Sequence, residues 1–357
     1  MFRTFFLFLN ILSAVLLAFT YLSPYINPLE YRRIPLVGLF YPMLLFTNIG
    51  FILGWVYLKK IKYSALSILV ILLGLQHLFS LISIPYLQES VPITKDAIRV
   101  SSYNVNNFQD IAWKNGFQPA AIKNLVKTFK ETDYICTQEV HYTSWKMIEK
   151  ELKYPYAYGT KGTRIFSKQP FLKKGTINFG KSTNSCTWVD IPFNSQTIRL
   201  YSVHLESNHI TPATKKIVKK TEVSIKERIK LLRGMISQYL YRTRLRVQQT
   251  EKILQHIKNS PHPVVVCGDF NDAPLSYIYR RFTKQLSDGF LQQGSGSGIS
   301  FRGYIPLLRI DYIFADPVLQ FQQYRTIRNI KYSDHYPVTA IIGEKEGEKE
   351  VRGQTEK

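Results

Sequence analysis

The sequence predicts an α/β sandwich, with sheets inside and helices outside, that follows an apolar N-terminal segment. From residue 97 onward, runs rich in β-branched residues alternate with stretches whose apolar residues recur at helical spacing. Residues 1–90, by contrast, hold only eight charged side chains in otherwise apolar sequence. The remaining 267 residues are polar enough to fold in water and suit one large domain.

The apolar segment contains three stretches without acidic or basic residues, each long enough to cross a membrane. A transmembrane helix needs about 20 predominantly apolar residues. The predicted spans are Phe5–Leu22, Leu36–Leu58 and Ala65–Ile84. We therefore expect residues 1–88 to form a membrane anchor of three transmembrane helices, which contacts the lipid bilayer through residues 5–84. A cleaved signal peptide is the alternative for the first span, but two further spans follow it.

The basic residues of the short loops predict the orientation of this multi-pass anchor. Lys59, Lys60 and Lys62 join the second and third spans, and Arg3 precedes the first. Cytoplasmic loops carry the excess of Lys and Arg. With the N-terminus inside, three crossings place the large domain outside the cytoplasm.

Beyond the anchor, residues 89–97 are predicted to be a linker, 98–343 a folded domain, and 344–357 a charged, disordered tail. The predicted strands are Ile98–Val105, Tyr134–Gln138, Arg164–Ser167, Trp188–Ile191, Thr197–Leu205, Val264–Cys267, Ile310–Ala315 and Val338–Ile342. The predicted helices are Pro119–Glu131 and Lys226–Lys258, the second with a break near Gly234.

Charge and cysteine content limit the classes of partner and metal. The net charge is +22, and residues 215–258 contribute 13 Lys and Arg against three Glu. Such a surface attracts nucleic acid or anionic lipid, although a solvated basic helix has the same composition. The three cysteines match no zinc motif, and we expect buried free thiols. No protein partner is evident.

Polar residues stand at the ends of the predicted strands, where a buried carboxylate, amide or imidazole needs a reason. These residues are Asn104, Glu139, His204, Asp269, Asn271, Asp311, Asp334 and His335. Each of them alone is more often a structural residue or part of a turn. Together they form an oxygen-rich set, which suits Mg²⁺, with Mn²⁺ or Ca²⁺ as alternatives, rather than zinc.

The ordered motifs YNVNNF, ICTQE, VHLES, VVVCGDFND, RIDYIF and SDHYP resemble the endonuclease/exonuclease/phosphatase superfamily over residues 97–343. This superfamily includes DNase I, abasic-site endonucleases, sphingomyelinases and inositol polyphosphate 5-phosphatases. The resemblance implies a four-layer α/β sandwich of the DNase I-like type, here in a membrane-anchored member. It also implies an active site at one end of two central sheets.

Carried over to this chain, the resemblance assigns a role to each polar residue. Glu139 resembles the main metal-binding carboxylate, with Asn104 and Asp334 near the same metal. Asp269 and Asn271 resemble the pair that orients the attacking water and the phosphate. His335 resembles the histidine that contacts the scissile phosphate, and Asp311 the carboxylate that hydrogen-bonds this histidine. His204 matches a catalytic histidine of DNase I and sphingomyelinase members, where abasic-site endonucleases carry a tyrosine. Asn106 and Arg309 are expected to bind substrate, but Asn106 replaces an aspartate of the abasic-site enzymes.

The predicted function is that of a membrane-anchored, divalent-metal-dependent phosphoesterase that hydrolyses phosphodiester bonds, in the manner of a nuclease. The alternative is a phospholipid or inositol-phosphate hydrolase similar to a sphingomyelinase. The substrate is therefore a nucleic acid or a lipid headgroup. An inactive, membrane-tethered binding module is the third class.

Overall fold

The computed structural model describes residues 1–108, 119–140, 142–160, 162–180, 182–208, 224–303 and 308–345. Its α-helices are α1 (Phe2–Thr20), α2 (Ile34–Gly38), α3 (Tyr41–Tyr57), α4 (Ala65–Leu73), α5 (Leu75–Phe79), α6 (Pro119–Thr128), α7 (Tyr142–Leu152), α8 (Ile225–Lys258), α9 (Tyr277–Thr283) and α10 (Gly289–Gln293). The first strands are β1 (Ile82–Ser83), β2 (Ile98–Asn104), β3 (Tyr134–Gln138), β4 (Tyr156–Gly159), β5 (Thr163–Ser167), β6 (Lys173–Asn178) and β7 (Ser185–Phe193). The remaining strands are β8 (Gln196–His204), β9 (Val264–Asp269), β10 (Ser287–Asp288), β11 (Gly296–Ser297), β12 (Asp311–Ala315), β13 (Leu319–Thr326) and β14 (Val338–Glu344).

Two six-stranded sheets form the centre of the domain. Their strand orders are β10-β12-β9-β8-β7-β6 and β13-β14-β2-β3-β5-β4. Most neighbouring strands are antiparallel, but β2 with β3 and β8 with β9 run parallel. The carboxyl ends of these four central strands can therefore meet at one edge of the molecule.

The sheets pack face to face, with helices on both outer faces. Side chains from both sheets, such as Val100, Ile165, Leu200 and Val265, share one buried cluster between them. A second cluster joins the outer face of the first sheet to α8 and α9, and a third joins the other sheet to α6 and α7. This arrangement confirms the predicted α/β sandwich of DNase I-like fold, with four layers.

The predicted strands that carry polar ends are all present, and the three cysteines are buried and free. The sequence did not predict β6 or β13. Strand β6 has a single apolar residue, Ile177, and the alternation of β13 is interrupted after Phe321, where the register shifts. The predicted break in the long helix is wrong, since α8 runs unbroken through Gly234. One exposed glycine costs a helix only about 1 kcal/mol, which its packed C-terminal half can offset.

The N-terminal segment departs from the predicted three spanning helices. Within the described residues, only α1 is long and apolar enough to cross a membrane, while α3 and the helical stretch Ile61–Leu73 are shorter. The second predicted span is divided because Pro42 stands at the start of α3. The third is divided at Gly74, against which the ring of Tyr21 packs so closely that a Cβ would lie 2.2 Å from it. The segment therefore contains one candidate membrane helix, which would equally suit a signal sequence.

The N-terminal helices bury polar side chains and expose apolar ones. Asn10 donates to Ser67 at 2.5 Å, Ser67 donates to Asn48 at 2.8 Å, and Asn48 donates to Ser13 at 2.9 Å. The indole of Trp55 donates to Asn10 at 2.8 Å. Outward-facing residues include Phe5, Phe8, Phe46, Leu53 and Leu73, each at least 60% exposed. A polar interior under an apolar exterior is the reverse of the arrangement in a water-soluble domain.

These helices are packed directly onto the domain. Leu275 inserts into the apolar cluster of α1 and α3, and Arg280 lies 4.0 Å from the ring centroid of Tyr25. Strand β1 pairs with β11, and a side-chain donor of Arg309 reaches the carbonyl of Ser80 at 2.9 Å. Residues 89–97 have no helix or strand, but both backbone and side chain of Thr94 bond to the amide of Gln322.

Candidate active site

The parallel strand pairs bring the polar strand ends into one cleft. Asn104 ends β2, Glu139 directly follows β3, His204 ends β8 and Asp269 ends β9. In the register of the first sheet, His204 lies beside Asp269 on one side and Asp311 lies beside Asp269 on the other. The carboxyl edge of both sheets therefore carries the whole set.

Asn104 joins the two carboxylates at the centre of the cleft. Its amide nitrogen donates to Glu139 at 3.0 Å and to Asp269 at 2.9 Å. Its amide oxygen accepts the backbone N–H of Asn106 at 2.9 Å. Because one fully buried amide satisfies both partners, the spacing of Glu139 and Asp269 is fixed before any substrate binds.

His335 is held between two aspartates. Its Nδ1 lies 2.9 Å from Oδ2 of Asp311, and its Nε2 lies 3.7 Å from Oδ2 of Asp269. The bond to Asp311 fixes the ring orientation and leaves Nε2 facing the cleft. Ser333 supports the loop, since its hydroxyl donates to the carbonyl of Asn104 at 2.7 Å and accepts the N–H of His335 at 3.1 Å.

His204 lies on the opposite side of the two carboxylates. Its Nε2 is 3.4 Å from Glu139 and 3.9 Å from Asp269. Both ring nitrogens are buried, and the described partner of Nε2 is the carboxylate of Glu139, while Nδ1 has no hydrogen bond to a described residue.

The backbone is strained at two of these positions. Glu139 has φ of 55° and Asn271 has φ of 52°, both in the left-handed region. Asparagine tolerates this conformation, but glutamate adopts it only where the surroundings impose it, as they do at functional sites. Asn271 is held by its N–H to Asp269 at 2.8 Å and by its amide to the carbonyl of Leu205 at 3.0 Å.

The two carboxylates of the cleft, Glu139 and Asp269, differ in pKa. Burial opposes ionisation of Glu139, but the hydrogen bond and charge of His204, with the Asn104 amide, lower its pKa to about 2. Burial raises the pKa of Asp269 to about 6, with the charge of Asp311 adding to the effect and His335 opposing it. Burial disfavours the imidazolium of His335, yet the charges of Asp311 and Asp269 raise its pKa well above the usual value. Glu139 is therefore ionised at neutral pH, whereas the pKa of Asp269 lies close to neutral pH.

The other predicted site residues lie farther from this centre. Asp334 accepts the amide of Asn106 at 2.8 Å, and it belongs to neither cluster of described residues close enough to share one ion. Arg309 does not enter the cleft. Its guanidinium is buried and pairs with Asp288 at 2.7 Å and with Ser80, so we correct its predicted substrate contact to a structural role.

Sequence reasoning missed two residues that organise the site. Gln138 donates to Ser102 and to Ser202, each at 3.2 Å, and so ties the two sheets together beside the cleft. Arg246 is fully buried and lies 3.4 Å from Asp272, next to Asn271. Gln138 lies within the motif ICTQE. The sequence gives no sign that Arg246 is buried, because it lies in the basic stretch 215–258, whose charges are expected to face solvent.

The donor set fits a hard divalent cation. Glu139, His204 and Asp269 offer ligand atoms within 4.8 Å of one another, and Asp269, Asp311 and His335 do the same. Two carboxylates held this close repel each other unless positive charge lies between them. The partly exposed Glu139 gives solvent access to this point.

Fold and site together define a four-layer α/β sandwich with an acid- and histidine-lined cleft at the carboxyl ends of its central strands. The sequence model of the Endonuclease/Exonuclease/phosphatase family matches residues 101–335, and the chain belongs to this family. Residues 3–81 match a second model, described as a domain of unknown function (DUF8431).

Solved structures show the same fold. An endonuclease/exonuclease/phosphatase from Bacteroides vulgatus is 17% identical, with a TM-score of 0.51, over 70% of this chain and 99% of that one. Another from Beutenbergia cavernae is 15% identical, with a TM-score of 0.51, over 70% of this chain and 72% of that one. A comparison with curated proteins found no match.

Proposed function

We propose that this chain is a divalent-metal-dependent phosphodiesterase that works at a membrane surface. The observation that carries the proposal is the convergence of Glu139, Asp269 and His335 around one cleft. Nε2 of His335 lies 3.7 Å from Asp269, and Glu139 and Asp269 offer ligand atoms within 4.8 Å of each other. The same convergence counts against an inactive binding module, which has no need of an acid and a base held apart in pKa.

The side chains have complementary roles in hydrolysis. Asp269 accepts a proton from the attacking water, for which a pKa of about 6 is well matched to neutral pH. The backbone N–H of Asn271 holds the second oxygen of that carboxylate and so fixes its direction. His335, kept protonated by Asp311, donates from Nε2 to a phosphate oxygen as negative charge develops there.

A cation, Mg²⁺ in the first place, would be held by Glu139 with Asn104 beside it. When bound, it would neutralise charge on the phosphate and on the leaving oxygen. The buried imidazole of His204, 3.4 Å from Glu139, would contact the same ion or the phosphate.

The location of the N-terminal helices favours a phosphodiester presented by a lipid headgroup over a nucleic acid. Leu275 and Arg309, which contact these helices, are only a few residues from Asp272 and Asp311. The N-terminal unit therefore lies close to the catalytic end of the sandwich. The basic helix gives less support to nucleic-acid binding than its composition suggests, because Arg246 is buried and Arg242 pairs with Glu206.

We also propose that residues 1–88 are a membrane anchor, with α1 as the spanning helix, and that the catalytic domain lies outside the cytoplasm. The support is the apolar exterior and hydrogen-bonded polar interior of α1, α3 and α4, since polar side chains within membranes face the helix interface. The test is a C-terminal fusion to a reporter active only in the periplasm. Activity of a matched reporter that works only in the cytoplasm would refute this orientation.

The function is tested by assaying the full chain in detergent with Mg²⁺ against sphingomyelin, phosphoinositides and plasmid DNA. We expect hydrolysis of a lipid phosphodiester and its loss in EDTA. Cleavage of DNA alone would make the chain a nuclease and overturn the lipid assignment. No hydrolysis of any of these with Mg²⁺, Mn²⁺ or Ca²⁺ would overturn the phosphodiesterase proposal.

A further inference from the structure

The N-terminal half of α8 carries an apolar stripe that no described residue covers. Ile225, Ile229, Leu232 and Ile236 recur at helical spacing and so lie on one narrow side of the helix. Their side chains are 79%, 45%, 49% and 40% exposed. The N-terminus of the helix is stabilised by Ser224, whose side chain caps it by accepting the N–H of Glu227 at 3.2 Å.

The stripe continues the face that buries the other half of the same helix. Val247, Leu254 and Ile257 lie on this face and pack against the outer side of the first sheet. Burial begins at Tyr239, and the stripe before it extends for about 17 Å along the helix, from Ile225 to Ile236. An apolar strip of this length on a helix that has left its own core marks an interaction surface.

The charges around the stripe specify the partner. Arg228 and Arg233 flank it on its two sides, and Lys226 and Lys230 lie farther around the helix. The only acidic residue between positions 225 and 236 is Glu227, on the opposite face. An apolar side bordered by Lys and Arg is the pattern of a helix that lies in the interface of an anionic bilayer.

The stripe is also continuous with the N-terminal unit. At the point where α8 leaves the domain, the hydroxyl of Tyr239 donates to the carbonyl of Pro35 at 3.4 Å, and α2 packs against α8. Directly after α2, Leu39 and Phe40 are 38% and 47% exposed. The apolar surface of the N-terminal helices thus leads directly to the stripe.

We propose that the N-terminal half of α8 is an interfacial membrane helix, which inserts its apolar stripe at the acyl boundary and places its basic residues among anionic headgroups. This surface is separate from the catalytic cleft, so the proposal stands whether or not the chain hydrolyses phosphodiesters.

The test uses the full chain in vesicles, with one cysteine introduced at a time. Ile229→Cys places a label within the stripe, and Glu227→Cys is the matched control on the opposite face. The native cysteines are fully buried, so an environment-sensitive NBD fluorophore reacts at the introduced site. We expect blue-shifted emission and strong quenching by spin-labelled lipids at position 229, and neither at position 227, in vesicles of phosphatidylcholine with phosphatidylglycerol.

The contribution of charge is tested by replacing Arg228 and Arg233 together with glutamine in the Ile229→Cys chain. We expect the inserted fraction to fall about tenfold or more in the anionic vesicles, since each basic residue contributes on the order of 1 kcal/mol there. Equal quenching at positions 227 and 229 would overturn the proposal. So would cross-linking of Ile229→Cys between two chains without lipid quenching, which would mean that a second copy covers the stripe.

Discussion

The central residue of the cleft is Asp269, because its carboxylate contacts Asn104 from β2 and both histidines of the cleft. Its carboxylate accepts from Asn104 at 2.9 Å and lies within 4 Å of both His204 and His335. A substitution there removes the proposed base and also changes the charge on both imidazoles. The sequence located this residue, since a carboxylate directly after an apolar strand is unusual.

We expect Asp269→Asn, His335→Ala and Glu139→Ala each to lower turnover by at least about 10²-fold, the usual effect of losing an acid, a base or an electrostatic contact. The measurement is the initial rate on the substrate identified above. The control is Asp316→Asn, the same chemical change just beyond the far end of β12, where the carboxylate accepts the N–H of Val318. Near-normal rates in all three site variants would contradict the assigned roles.

A second residue-scale prediction concerns pH and stability. Burial, with the charge of Arg199, lowers the pKa of His256, whose Nδ1 lies 2.9 Å from the hydroxyl of Tyr201. The folded state thus prefers the neutral ring. Its contribution is present above the unfolded pKa of about 6.5 and is lost as the pH falls toward the lower folded pKa.

We therefore expect the Tm of the chain in detergent to fall between pH 7.5 and pH 5.5 by more than the Tm of His256→Gln, which has no titrating ring. The comparison at pH 7.5 controls for the substitution itself, because both side chains are then uncharged. Parallel pH profiles for the two proteins would show that His256 makes no such contribution.

At the scale of elements, the close packing of β8 against β9 depends on one glycine near the end of β9. Gly268 has φ of 148°, and a Cβ added there would lie 1.9 Å from the carbonyl of Val203 on the neighbouring strand β8. This close approach allows β8 and β9 to present His204 and Asp269 side by side. The sequence indicated a turn at Gly268-Asp269 but could not show which strand lies against it.

We expect Gly268→Ala to lower the free energy of unfolding by at least about 2 kcal/mol, because both the backbone conformation and the neighbouring carbonyl oppose a side chain. The matched variant is Gly234→Ala, in the exposed middle of α8 with no neighbour within 4 Å, which we expect to stabilise by about 0.5–1 kcal/mol. Urea unfolding followed by tryptophan fluorescence measures both. Equal effects of the two substitutions would refute the steric explanation.

The elements also show where sequence reasoning reaches its limit. Strands β3 and β9 are buried on both faces, and their sequences are therefore mostly apolar. This made both strands predictable from the sequence. The N-terminal helices were not resolved correctly, since hydropathy measures the length of an apolar stretch but not the turns within it. A new helix begins at Tyr41-Pro42, and α4 ends at Gly74, within sequence that is continuously apolar.

At the scale of the whole molecule, the N-terminal unit and the domain are joined by contacts rather than by a free tether. The segment 89–97 is bonded at Thr94 to Gln322, and Glu89 accepts the amide of Gln293 at 2.9 Å. Neither contact could be predicted from the sequence, because each joins residues about 200 positions apart. Composition alone indicated a linker there.

We expect trypsin to cut slowly after Lys95 although this side chain is exposed, because the backbone beside it must leave its hydrogen bonds to enter a protease. Gln322→Ala removes both bonds to Thr94 and should speed cleavage by about tenfold. The measurement is the time course of the intact chain on a denaturing gel. Rapid cleavage of the unaltered chain at this site would mean that the segment is free.

The ladder between β1 and β11 also limits where the enzyme can work. It fixes Ile82–Ser83 to Gly296–Ser297 and thereby the height of the cleft above whatever surface holds α1. A catalytic domain on a flexible linker can reach substrates at many distances from the membrane. With α1 in a bilayer, the cleft of this chain moves by lateral diffusion at one fixed height above the membrane. It can then reach only phosphates that lie at that height, however well others would fit the cleft.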